Sequence, residues 1–173
     1  MASKLNITRR QVVAAAAAVP VVGGLAAGTT VWRWWDRPPG DGLKSLSPDE
    51  HGFIQALAEA WMPRGGNPEL SGADARLGDW MDDVVDAMEP QTAKELKLLM
   101  NAMDALPVAT RLRPFQALPL ETRTAVLNGW IQHPVSLVRD GISGILVLMG
   151  IGWTTHPEVV PIFRAMFRCG YGR

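Results

Sequence analysis

Cysteine occurs once in this chain of 173 residues, at Cys169. A single cysteine excludes a disulfide within the chain, a Cys-x-x-Cys-His haem attachment motif and the cysteine spacing of an iron–sulfur cluster. Histidine is also scarce, with three residues and no His-x-x-x-His or Glu-x-x-His pair among them. Zinc and di-iron sites therefore lack ligands. We expect no cofactor or metal in this chain.

Catalytic motifs are missing as well. No serine lies in a Gly-x-Ser-x-Gly elbow, and Cys169 has no obvious base near it in the sequence. Asp79, Asp82, Asp83 and Asp86 share one face of a predicted helix, but hard cations usually take six or more oxygens from a curved loop. We therefore expect this face to be solvated and the chain not to be an enzyme on its own. Contact of the face with a basic partner surface stays open.

The N-terminal segment combines basic residues with a long uncharged run. Lys4, Arg9 and Arg10 precede residues 12–31, which carry no charge. A pair of arginines before an uncharged run is typical of a twin-arginine export signal, and small residues near its end offer a cleavage site. We predict a signal segment at residues 1–28, recognition by the twin-arginine translocase, and a periplasmic location.

Two interpretations of the uncharged run remain open. Residues 12–31 are long enough, at about 1.5 Å per residue, to span a membrane, and Trp32, Trp34 and Trp35 would then form an interfacial belt. The segment is therefore either a cleaved signal or an uncleaved membrane anchor. A dinucleotide-binding loop is disfavoured, because residues 21–28 lack the Gly-x-Gly-x-x-Gly order.

The charge is balanced overall but unevenly distributed. Beyond residue 28, 14 basic residues stand against 17 acidic ones, which does not indicate a nucleic-acid-binding protein. Residues 41–95 contain 12 acids and four bases, whereas residues 96–173 contain four acids and eight bases. The two halves could attract each other within the fold or dock a polar partner.

Proline and glycine divide the rest of the chain into a linker and one helical domain. Residues 29–45 are a linker by composition, and residues 46–173 form the domain. Ser47 at the N-cap with Glu50 at N3 predicts a capping box at the start of the first helix, which Pro63 ends.

Apolar periodicity predicts the remaining helices. Their predicted bounds are a start at Ser71 for the second, Pro90 to Pro107 for the third, about Pro119 to Gln132 for the fourth, about 135–150 for the fifth, and a last helix from Pro157. The fifth is apolar on nearly all sides from Ile142 to Trp153, which is typical of a central buried helix. These 12 uncharged residues are too few to span a membrane. The predicted fold is all-α, a single bundle of about six helices after the signal segment.

Seven tryptophans are present, and three of them have no helix to pack on. Trp32, Trp34 and Trp35 adjoin the linker, and exposed aromatic side chains often mark a partner or membrane contact. The candidate partner contacts are Trp32, Trp34, Trp35, Phe115, Trp153 and Tyr171.

From Leu46 onward the chain resembles a known family, the small subunit of gluconate 2-dehydrogenase, also called subunit 3 or the gamma subunit. The matching segments are Leu46 to Glu50, Ala58 to Pro63 with Gly65 and Gly66, Gly72 to Ala75, Phe115 to Pro119 with Arg123 and Trp130, Leu148 to Gly150, His156 to Val159, and Gly170 with Tyr171. The chain departs from the pattern between Pro157 and Gly170, where it is longer.

This resemblance implies an all-helical accessory subunit that binds a large FAD-dependent oxidoreductase of the glucose-methanol-choline type, commonly with a cytochrome c as third subunit. FAD is then expected in the partner, and this chain supports its maturation and export. Two alternatives remain: a membrane-tethering helical scaffold, or a free-standing exported enzyme with an unrecognised site. The substrate of the complex is not encoded here.

Overall fold

The structure, a computed structural model, describes residues 37–166. Six helices of seven residues or more follow one another, and no described residue lies in a β-strand, so the predicted all-α fold is confirmed. The helices are α1 (Pro48–Trp61), α2 (Leu77–Asp86), α3 (Pro90–Ala105), α4 (Val108–Arg111, a single turn), α5 (Leu120–Ile131), α6 (Ser136–Thr155) and α7 (Val160–Met166), with a 3₁₀ turn at Phe115–Ala117.

Helix α1 lies at the centre of the bundle, where it packs against α2, α3, α5 and the 3₁₀ turn. Its N-terminus has the predicted capping box: the Ser47 hydroxyl accepts from the Glu50 amide, and the Glu50 carboxylate accepts from the Ser47 amide. Phe53, Ile54 and Leu57 on this helix are completely buried. Burying each such side chain contributes about 1.5–3 kcal/mol, so α1 organises the core.

Helix α2 begins at Leu77, six residues after the predicted start at Ser71. The Ser71 hydroxyl and the Asp74 carboxylate bond each other, and Arg64 binds the same carboxylate, so this segment closes on itself as a turn. Arg76 then takes a left-handed conformation with φ of 53°, which interrupts any helix before it. The Ser-x-x-Asp pattern therefore marks a turn here instead of a helix start.

Helix α6 is not the central buried helix that its composition predicted. One face is buried through Ile142, Ile145 and Met149, whereas Val147 is 63% exposed and Ile151 is 51% exposed. Because α1 already occupies the centre, α6 packs mainly on α5 and α2 from one side and leaves its outer face uncovered. The prediction of a central helix was wrong.

The length of α6 also corrects the sequence-based argument about membranes. The helix has 20 residues where the sequence predicted about 135–150, and Arg139 and Asp140 lie on it before the 12 uncharged residues. Among the described residues it alone is long and apolar enough to cross a membrane by length and composition. A core helix of a soluble protein passes the same test.

Phe115 belongs to the core and is not a partner contact as predicted. Its ring is completely buried, stacked on Trp130 at 4.9 Å between centroids and edge-on to Phe53 at 5.7 Å. A completely buried ring cannot contact a partner. Ile131, predicted to face inward, is 37% exposed at the end of α5.

Candidate functional site

An open apolar groove lies on the outer face of α6. It has a volume of about 530 Å³ and runs between the last residue of α1, the last residue of α5 and residues 143–154 of α6. The lining residues are Trp61, Ile131, Ser143, Leu146, Val147, Gly150, Ile151 and Thr154.

Gly150 allows the wall of the groove to form. A Cβ at this position would lie 3.3 Å from the tip of the Trp61 ring, which is tighter than an ordinary contact. The missing side chain therefore lets the end of α1 approach α6 and places an indole beside the aliphatic face of Val147 and Ile151.

The two hydroxyl groups in the groove are already used. Ser143 donates to the carbonyl of Arg139 at 2.7 Å, and Thr154 donates to the carbonyl of Ile151 at 2.8 Å. Both are bonds to a carbonyl of the same helix, so each hydroxyl hydrogen is taken up. Small-molecule sites usually combine apolar walls with a few convergent polar groups. This groove lacks them and offers apolar contact instead.

Charged side chains are absent from the lining of the groove. No lining residue is charged, and α6 carries no charge after Asp140. Arg139 and Asp140, at the start of the helix, pair with each other at 3.2 Å. Contiguous exposed apolar surface of this kind marks an interaction site more often than chance.

A second distinctive feature is the segment of residues 37–46, which we call the strap, because it crosses α2 and α3 before α1 begins. The Asp82 carboxylate on α2 accepts hydrogen bonds from three consecutive backbone N–H groups of the strap: Lys44 at 2.7 Å, Ser45 at 2.9 Å and Leu46 at 2.7 Å. Burial alone would raise the pKa of Asp82, but these three donors outweigh it and hold the pKa below its ordinary value.

Helix α3 holds the strap from its other side. Lys97 donates to the Ser45 carbonyl at 2.8 Å and lies 3.4 Å from the buried Glu50 carboxylate. Asn101 donates to the same carboxylate at 2.7 Å. At the start of the strap, Arg37 pairs with Asp49 at the beginning of α1. These polar groups are hydrogen-bonded to one another, as buried polar groups require, and their role is structural.

The aspartate face of α2 is only partly solvated, so that prediction was wrong for Asp82, which is 3% exposed. Asp79 bonds the His51 ring at 2.8 Å, and Asp83 pairs with Lys44 at 2.8 Å. Within residues 37–166 no group of three or more His, Cys, Asp or Glu side chains could hold a metal ion. One feature of the sequence did point to burial of Asp82. In the sequence it lies between Met81 and Val85, two residues of the apolar stripe of α2.

Of the predicted contact residues in the described range, Trp153 is half-buried on α6, packs against the core and does not line the groove. The predicted export residues and the remaining contact residues lie outside the described residues. These are Arg9, Arg10, Trp32, Trp34, Trp35 and Tyr171. The groove itself was not predicted from the sequence.

Comparison of the chain with protein-family models, curated proteins and solved structures gave no match.

Proposed function

We propose that this chain is a non-catalytic accessory subunit of a periplasmic FAD-dependent dehydrogenase, similar to subunit 3 of gluconate 2-dehydrogenase. It would support maturation of the catalytic flavoprotein and its co-export by the twin-arginine pathway. The observation that carries the proposal is the uncharged, uncovered groove on α6, whose two hydroxyls are already bonded to their own helix.

A protein surface fits this groove better than a small molecule does. Recognition of a small polar substrate needs several donors or acceptors that converge on it, whereas both hydroxyl hydrogens in this groove are already donated to carbonyls of α6. An apolar helix or loop of a partner needs only shape and apolar area. Covering Val147 and Ile151, which are 63% and 51% exposed, would stabilise a complex by burying aliphatic surface.

FAD belongs to the partner in this proposal. A flavin dinucleotide carries a pyrophosphate, which proteins usually bind with backbone amides at a helix N-terminus or with basic side chains. The groove has neither, since its walls come from the C-terminal residues of α1 and α5 and from residues 143–154 of α6, and no lining residue is basic. The residues of this site therefore do not fit the cofactor, and no step of the redox chemistry is assigned to them.

A membrane is a poorer occupant of the groove than a protein. Helices that bind at a membrane surface usually present lysine and arginine along the polar edge of their apolar face. From Gly141 to Thr155, α6 has none. The membrane-tethering alternative is kept as an outcome of the experiment.

The experiment is purification of the tagged full-length chain from its native host, with and without Val147→Asp. We expect the wild-type chain to carry a stoichiometric protein with a flavin spectrum. The new carboxylate would have to be desolvated in the interface, so the variant should lose that protein. Leu112→Asp is the matched control. It adds the same charge at a leucine that is 86% exposed and in a left-handed conformation that aspartate tolerates.

The outcomes separate the candidates. Circular dichroism should show both variants folded, because both positions are exposed. A wild-type chain that purifies without a flavoprotein, or a Val147→Asp chain that keeps it, would contradict the proposal. Loss of membrane flotation in Val147→Asp, with no flavoprotein in either sample, would favour the tethering scaffold.

A further inference from the structure

The short helix α4 and the residues that end it present two aliphatic side chains to solvent. Val108, the first residue of α4, is 42% exposed, and Leu112, its C-cap, is 86% exposed. The Leu112 amide donates to the Val108 carbonyl at 3.1 Å, so the two residues adjoin. Neither of them lines the groove on α6. We call residues 108–113 the basic turn, because Arg111 and Arg113 complete it.

Leu112 has a backbone conformation that disfavours leucine. Its φ of 57° and ψ of 19° lie in the left-handed region, where a helix end usually has glycine or asparagine. Packing does not compensate for this conformation, because the side chain is almost fully exposed. The stability of the bundle therefore does not account for a leucine at this position. Residues that keep a strained backbone cluster at functional sites.

The two arginines of the basic turn have no acidic partner. Both are exposed, on either side of Leu112 in the sequence. Within residues 37–166, seven of the eleven lysine and arginine side chains lie within 4 Å of a carboxylate, and Arg111 and Arg113 are not among the seven. Their guanidinium groups are therefore available to an anion, and guanidinium groups bind phosphate oxygens through paired hydrogen bonds.

The combination of exposed aliphatic and basic side chains fits a lipid surface. Peripheral proteins bind anionic membranes with apolar side chains that enter the interface and with lysine or arginine beside them. The groove on α6 has the opposite character, since it is apolar and no lining residue is charged.

The size of the basic turn also favours lipid over protein. A stable protein interface usually buries about 800 Å² on each partner, which a turn of this length does not supply by itself. A membrane surface needs no matching shape, so a small protruding turn is sufficient for contact.

We propose that the basic turn docks the bundle on an anionic lipid surface. Val108 and Leu112 enter the boundary between headgroups and acyl chains, and Arg111 and Arg113 bind lipid phosphates. The contact is peripheral and reversible, because two aliphatic side chains bury far less area than a membrane-spanning helix does. This inference goes beyond the proposed function and does not depend on it, since the basic turn and the groove share no residue.

Fluorescence quenching on the full-length chain tests the contact. A polarity-sensitive fluorophore is attached through Ala109→Cys, an exposed position of the basic turn, with Cys169→Ser to remove the native thiol. The same fluorophore at position 147 monitors the groove. The vesicles contain either phosphatidylcholine or an equimolar mixture of phosphatidylcholine and phosphatidylglycerol, with brominated acyl chains that quench a fluorophore only on contact. The quenching at position 109 concerns the basic turn, whichever other parts of the chain reach the membrane.

We expect quenching at position 109 on the anionic vesicles, and little at position 109 on the neutral vesicles or at position 147 on either. Arg111→Gln with Arg113→Gln should lower the ratio of docked to undocked turn by about 30-fold, or about fivefold for each arginine. Lys94→Gln with Arg164→Gln is the matched control. It removes two other exposed cations that have no carboxylate partner in the described part of the chain, and it should leave the quenching unchanged.

Leu112→Gly separates docking from folding. Glycine favours the left-handed conformation, so the melting temperature should stay the same or rise. The loss of the leucine side chain should nevertheless lower the docked ratio by about tenfold.

Three results would overturn the inference. The first is an absence of quenching at position 109, or equal quenching on neutral and anionic vesicles. The second is a loss of quenching in the control variant as large as in the arginine variant. The third is quenching at position 147 without quenching at position 109, which would instead favour the tethering scaffold. If a benzophenone side chain at position 109 captures a protein in the native host and lipid quenching is absent, the basic turn is a protein contact and the lipid proposal is rejected.

Discussion

The indole of Trp80 on α2 packs directly against the backbone of Gly152 on α6. A Cβ built at Gly152 would lie 2.6 Å from the ring, closer than side-chain carbons approach in proteins. Trp80 lies half-buried against the core, and Gly152 is buried. The absence of a side chain at residue 152 is therefore what allows α2 and α6 to approach each other, and this contact holds α6 with its apolar outer face uncovered.

Gly152→Ala should destabilise the protein because the added methyl overlaps the Trp80 ring. Overpacking of this kind costs about 1–3 kcal/mol and should outweigh the helix-propensity gain of about 1 kcal/mol. Gly144→Ala on the same helix is the control, since nothing lies within 4 Å of its Cβ position. It should be neutral or stabilising. Thermal unfolding of both variants checks this, and equal melting temperatures would contradict the packing argument.

Asp82→Asn should lower the free energy of unfolding by about 1–3 kcal/mol at neutral pH. The asparagine side chain has one acceptor oxygen, so it accepts fewer hydrogen bonds from the three strap N–H groups than the carboxylate does. Its NH₂ group would face backbone donors with which it cannot form a hydrogen bond. Asp86→Asn, also on α2 but exposed, should change stability by less than about 0.5 kcal/mol. Urea denaturation monitors both. A loss no larger than that of the control would remove the stabilising role assigned to Asp82.

The contribution of Asp82 should depend on pH in a defined direction. Its pKa in the folded protein is below the ordinary 3.8, so the folded state favours the charged carboxylate. The stabilisation is then fully present above the unfolded pKa and is lost as pH falls through the folded value. The stability difference between wild type and Asp82→Asn should be constant from neutral pH down to about pH 5 and shrink below pH 4. A difference that grows on acidification would contradict the assigned direction.

Phe115→Ala should destabilise the fold by about 3–5 kcal/mol, because it removes a completely buried ring from between Phe53 and Trp130. Leu112→Ala, at a leucine that is 86% exposed, should change stability by less than about 0.5 kcal/mol. Chemical denaturation distinguishes the two. A stable Phe115→Ala variant that only weakens partner binding would restore this residue as a partner contact.

If residues 1–28 are the proposed twin-arginine signal and the proposed flavoprotein partner shares it, Arg9→Lys with Arg10→Lys should leave both proteins in the cytoplasm. Lys4→Gln, which removes one nearby charge but keeps the arginine pair, is the control. Cell fractionation with flavin detection measures both proteins. Periplasmic flavoprotein in cells that carry the double variant would show that the partner does not share this signal.

Local signals predicted the helices well where a boundary depends on neighbouring residues. The Ser47 and Glu50 capping box and the proline breaks around α3 and α5 were confirmed, because capping and proline effects act within one turn. The start of α2 was misplaced, because Arg64, from outside the pattern, binds Asp74 and completes a turn there.

The burial of individual side chains is the property that the sequence predicted least well and that the tertiary structure decided. By itself, the sequence determined that the domain is a helical bundle without an evident metal or cofactor motif, since periodicity and residue type are properties of the chain alone. It did not determine which helix is central: α6 is the most apolar, yet α1 fills the centre because it contacts four neighbouring elements. Only the assembled helices decided that Asp82 is buried under the strap and that Val147 and Ile151 are exposed. Each of these outcomes depends on which residues, distant in the sequence, pack beside a given side chain. The apolar periodicity of one helix does not specify those neighbours.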